Sequence, residues 1–145
     1  MGKENEFKEN SQAVQAHLSI TQAVIQRMAA NSASCKAWCI TLVSAILVIV
    51  ADKGKPHYAL IAVIPNALFL VLDAYYLALE KMFRQSYNSF IEKLHSGKVV
   101  ASDLYAVAPS GRLFYTFWAS LRSFSIWPFY LTLLAMIWIA KKLVI

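Results

Sequence analysis

The sequence predicts an all-α membrane protein: a long antiparallel helical hairpin extending into the cytoplasm, plus a third transmembrane helix. Three observations carry this. Of 145 residues, 59% are hydrophobic and 15% charged, against roughly 45–50% and 25% in an ordinary soluble domain. A chain this short cannot hide so much apolar surface in one core. The excess falls into three runs near the ~20 residues a spanning helix needs, and helical stripes continue beyond two of them.

Ala37 to Ala51 (AWCITLVSAILVIVA) is uncharged, and the first span is placed at about 34–51. Tyr58 to Leu79, interrupted only by Pro65, Asn66 and Asp73, is the second, 58–79. Ser123 to Ala140 is the third, 123–140. Lys53-Gly54-Lys55-Pro56 reads as the turn between the first two, because Gly suits a helix end and Pro a helix start.

Before the first span, Val14, Leu18, Ile25 and Met28 follow at spacings of 4, 7 and 3. After the second, Phe83, Tyr87, Phe90 and Leu94 follow at 4, 3 and 4. A turn centred near Gly54 pairs residues whose numbers sum to about 108, as antiparallel helices joined by a short loop require. Val14 then faces Leu94, Leu18 faces Phe90 and Ile25 faces Phe83. One hairpin is therefore expected over 11–95, with Val14, Leu18, Ile25, Phe83, Tyr87, Phe90 and Leu94 packing its cytoplasmic half. Residues 1–10 are expected as a flexible tail and 96–112 as a cytoplasmic loop. The aromatic-rich segment 113–124 is expected as an interfacial helix, with Leu113, Phe114, Phe117, Trp118, Leu121 and Phe124 on one face.

Lys and Arg counting sets the orientation. Lys3, Lys8, Arg27, Lys36, Lys81, Arg84, Lys93, Lys98, Arg112 and Arg122 fall on one side, and Lys53, Lys55, Lys141 and Lys142 on the other. The N-terminus is thus expected in the cytoplasm and the C-terminus outside. That asymmetry accounts for the net charge of +6, and no nucleic-acid partner is expected.

The same register places the intramembrane polar residues. Asp73 meets Lys36, and Glu80 meets Arg27. Three roles are open: ion pairs locking the hairpin at the inner leaflet, carboxylates lining an ion path, or snorkelling with no fixed partner. Pro65 is expected to kink the second span, with Asn66 supporting the kink through Thr41 or Ser44 or bonding across subunits.

No phosphate loop, dinucleotide fingerprint or HExxH site occurs. Cys35 and Cys39 read as packing, and His17, His57 and His95 do not converge with Asp73. No enzyme activity, catalytic residue, metal or cofactor is expected.

Gln26-Arg27-Met28-Ala29-Ala30-Asn31-Ser32, Lys36-Ala37-Trp38 and Leu72-Asp73-Ala74-Tyr75-Tyr76-Leu77 with Glu80, Phe83-Arg84 and Tyr87 form a distinctive set. They resemble a widespread family of small bacterial inner-membrane proteins associated with antiphage defence loci. The resemblance covers about residues 17–95 and leaves the third span outside it. It implies a bacterial inner-membrane location more firmly than any activity.

Three thin helices enclose no pore alone, so a symmetric homo-oligomer in the lipid bilayer is expected. The first function expected is an oligomeric channel or pore, acting as a defence effector that perturbs the inner membrane when triggered through its cytoplasmic helices. The alternative is a non-conducting anchor or accessory subunit whose hairpin docks a cytoplasmic protein partner.

Overall fold

A helix whose inward residues recur every three or four positions can lie along a partner without drifting off it. In the computed structural model, which describes residues 7–143, α1 (Gln12–Lys53) does this over 42 residues. Its buried positions are Val14, His17, Thr21, Met28, Ser32, Cys35, Cys39, Val43 and Val50. The partner rod is a 3-10 helix (Pro56–Ala62) running into α2 (Val63–His95). Ala59, Ala62, Asn66, Asp73, Ala74, Ala78, Met82, Phe90 and Leu94 are buried on it. A further 3-10 turn (Ala101–Asp103), α3 (Leu113–Leu121) and α4 (Trp127–Leu143) complete the chain. The protein is all-α, with two long helices in contact along a hairpin. Most of the expected 1–10 tail lies outside the described residues.

The turn follows from two residues. Gly54 takes φ +59° and its N–H donates to the Ala51 carbonyl; a left-handed residue closes a helix and glycine carries no Cβ penalty there. Pro56 then opens the 3-10 helix. Pro65 sits in the first turn of α2, three residues after the 3-10 helix ends. There its missing N–H is one of those a helix start leaves unpaired anyway. The expected kink inside one continuous helix is thus replaced by a change of helix type. At the other end α2 closes on Gly97, φ +66°. Gly97 N–H donates to the Leu94 carbonyl and Lys98 N–H to that of Lys93, the paired bonds of a Schellman end.

α3 packs along α2. Ser110 N–H reaches the Met82 carbonyl at 3.2 Å just before α3 begins, and Tyr130 in α4 reaches Phe69 and Asp73. α3 therefore climbs beside the stretch of α2 between those levels. Its expected single aromatic face is divided: Phe117 and Leu121 pack on the core, while Phe114, Trp118 and Phe124 are exposed.

Two hydrophobic clusters result. The larger joins Cys39, Val43, Val50, Ala59, Ala62, Ala74, Ile126, Tyr130, Leu133 and Ile137 from α1, the second rod, the turn before α4 and α4 itself. The smaller closes the open end of the hairpin with Val14, Phe90, Leu94 and Leu104. α1 and the Pro56–His95 rod are long and apolar enough to cross a membrane, and only 22% of each apolar window is buried within the chain. The core helix of a soluble protein would be mostly covered.

Candidate functional site

The buried polar groups gather where α1, α2 and α4 meet. Ser32 and Lys36 stand one turn apart on the inward face of α1, so both reach the same point of α2. That point is Asp73, with no exposed surface. Lys36 Nζ lies 2.5 Å from Asp73 Oδ2, Ser32 Oγ donates to Oδ1, and the Tyr130 hydroxyl lies 3.1 Å from Oδ2. Lys36 also approaches Ser32 Oγ at 3.5 Å. The Tyr130 hydroxyl has one proton and two acceptors in reach, Asp73 and the Phe69 carbonyl, each at 3.1 Å. A buried carboxylate is tolerated only when paired and hydrogen-bonded. Here a cation and a hydroxyl from α1 and a second hydroxyl from α4 surround it. Lys36 alone keeps partial exposure, at 22%.

About two turns along α2, Asn66 is 2% exposed. Cys39 Sγ lies 3.7 Å from its Oδ1, and its Nδ2 lies 3.5 Å from the Tyr130 carbonyl. The expected partners, Thr41 and Ser44, do not reach it. Thr41 Oγ1 donates to the Ala37 carbonyl of its own helix, and Ser44 lines a cleft against Pro128, Thr132 and Met136. Asn66 joins the hairpin to α4 within one chain.

The expected Glu80–Arg27 pair does not form. Glu80 pairs at 2.7 Å with Arg84, one turn along its own helix, and Arg27 is exposed. An intrahelical partner is already held in place by the backbone, whereas the bridge to Arg27 requires a long side chain to be immobilised between helices. Asp73 and Lys36 are thus brought together, Asn66 is connected to them only through Tyr130, and Glu80 and Arg27 stay apart. Tyr130 was missed, although a tyrosine amid an apolar span signals a hydroxyl in need of a partner.

Val14, Phe90 and Leu94 are buried together at the open end, with Leu18 packed against them, while Ile25, Phe83 and Tyr87 are half-buried. Gln22 Nε2 donates to the Tyr87 hydroxyl at 3.2 Å. A second polar centre sits here. His17, 5% exposed, lies 4.2 Å from the Phe90 ring and accepts the Tyr105 N–H on Nδ1 at 3.0 Å. Lys93 Nζ binds Asp103 Oδ1 at 2.8 Å, and Asp103 Oδ2 accepts the Val100 N–H. Burial pushes His17 below its ordinary pKa, against the pull of Asp103. The Lys93 hydrogen bond, then that of Val100, holds Asp103 below the usual carboxylate value. His95 lies 3.5 Å from Glu9 instead of approaching His17.

Among the described residues, no group of three His, Cys, Asp or Glu side chains is placed to hold a metal ion. Cys35 and Cys39 are free and buried. No protein-family model matches this chain, and no curated protein or solved structure matches it.

Proposed function

We propose that this chain is the subunit of a homo-oligomeric channel or pore in the bacterial inner membrane, with α1, the Pro56–His95 rod and α4 as its three spans. The proposal includes a cytoplasmic N-terminus, an outside C-terminus and a role as a triggered defence effector. The last of these rests on the motif resemblance.

The observation that carries the reading is the face of α1 opposite its core. Ala30, Ser34, Ala37, Thr41 and Ala45 recur every three or four residues and are all exposed. Small residues on a spanning helix let another backbone approach closely. The protomer seals Asp73 inside itself, so a conducting path belongs between copies and the carboxylate serves as an internal lock.

Exposed aromatics support the bilayer placement. Trp38, Tyr75 and Trp127 each stand within about one helical turn of the Lys36–Asp73–Tyr130 cluster. Tyr58 marks the other level, beneath Lys55 at 5.7 Å from its ring. Tyr58 and Tyr75 are separated along the rod by about 28 Å, close to the ~30 Å hydrocarbon thickness. Aromatic and basic side chains gather at such boundaries.

The test is the mass of the complex in native nanodiscs together with its single-channel conductance. A closed ring of several copies that conducts, and that falls apart with Ala37→Trp, supports the reading. A monomer or dimer without conductance leaves no pore wall, and the non-conducting anchor takes its place. Phe90 offers no docking surface for that alternative as the structure stands, being 6% exposed beneath the chain's own loop.

A further inference from the structure

We propose that residues 98–105 form a strap over the open end of the hairpin whose Tyr105 end is proton-sensitive, held shut by the neutral imidazole of His17. The strap has three fastenings of different chemistry. Leu104 is buried in the cluster with Val14, Phe90 and Leu94. Asp103 is tied to α2 through Lys93. Tyr105 donates its backbone N–H to His17 Nδ1, 88 residues away in sequence.

The third fastening depends on protonation. Nδ1 accepts a hydrogen bond only while it carries no proton, and in the imidazolium both ring nitrogens are donors. Tyr105 is held at φ +62°, the one positive φ outside glycine among the described residues. This is an uncommon conformation for a bulky residue. Its N–H has a fixed partner only while His17 stays neutral, so losing the acceptor also frees the backbone to relax.

The surroundings of His17 set which fastening yields first. The strap contributes Asp103 and Tyr105, and α2 contributes Phe90 and Lys93, with Lys93 bound to Asp103. His95 and Glu9 pair with each other at the same end. Asp103 attracts a proton toward His17, but burial opposes the imidazolium more strongly. Asp103 itself stays ionised through the range in which histidine titrates. Acid therefore opens the His17–Tyr105 fastening and leaves the Lys93–Asp103 one in place. A shallow polar cavity of about 190 Å³ between His17, Ser86, Lys93, Ser102 and Ser110 gives water access to the ring.

The sign follows from burial. A histidine whose pKa is lower when covered favours the covered state at high pH and loses that preference as pH falls below its ordinary 6.5. This holds whether or not the chain conducts.

Hydrogen exchange of the full-length protein in nanodiscs, corrected for the intrinsic pH dependence of exchange, tests it. Protection of the Tyr105 amide is expected to be constant above pH 7 and to fall by up to about tenfold per pH unit below 6.5. The Val100 and Asp103 amides should keep theirs. His17→Asn supplies an acceptor oxygen near the Nδ1 position that does not titrate, so it should hold Tyr105 protection flat from pH 8 to pH 5. Unchanged wild-type protection across that range overturns the proposal without any variant. An unchanged pH response in His17→Asn assigns the titration to another group and overturns it equally.

Discussion

The Tyr130 hydroxyl lies 3.1 Å from Asp73 Oδ2, and both side chains are fully buried. Beside the Asn66 contact and the shared apolar cluster, this contact couples α4 to the hairpin. The donors around Asp73 are a cation and a serine from α1 and a phenol from α4.

Removing that phenol isolates its share. Tyr130→Phe keeps the ring packed and loses one hydrogen bond to an ionised acceptor, at a cost of about 1.5–3 kcal/mol. Denaturation in detergent should show the loss. A smaller loss, about 1 kcal/mol, would mean that the hydroxyl spends its proton on the Phe69 carbonyl alone.

The ion pair behaves asymmetrically. Lys36→Met strands a buried carboxylate and should cost about 3–5 kcal/mol, whereas Lys36→Met with Asp73→Leu should recover most of that loss. If the double variant were as unstable as the single one, Asp73 would have a role beyond balancing Lys36.

Ser120 Oγ is buried without a partner among the described residues. Ser120→Ala removes an unsatisfied hydroxyl and should raise stability by about 1 kcal/mol. A drop in the denaturation midpoint would reveal an unseen partner such as a bound water.

The turn at Gly54 is strained for any other residue. A Cβ there meets no atom within 4 Å, so Gly54→Ala should cost about 1–2 kcal/mol from the left-handed backbone alone. A larger loss would point to disruption of the hairpin register.

Asp103 gives an acid limit distinct from that of His17. Its pKa is depressed in the folded chain, so its stabilising effect is present above the ordinary 3.8 and lost as pH falls through the folded value. Exchange at the Val100 amide should rise only below about pH 4 and should be fast at all pH in Asp103→Ala. A rise already near pH 6 would show that both fastenings open together.

The sequence by itself determined the two long helices, their turn and their approximate register. Stripe spacing, Gly54-Lys55-Pro56 and apolar run length are local properties, and one short turn converts them into facing pairs. The meeting of Lys36 with Asp73 and of Val14 with Leu94 followed from that conversion alone. Tertiary structure decided what no two-helix register contains. Tyr130 reaches Asp73 and Asn66 because α3 and α4 return along the second rod, and nothing in a one-dimensional pattern fixes where a third helix docks. Glu80 chose Arg84 over Arg27 because a neighbour on the same helix is already in place. Pro65 was absorbed by a change of helix type begun at Pro56. His17 found its partner in Tyr105 because the loop folds back over the hairpin end, a contact set by burial of Leu104 and not by spacing along the chain.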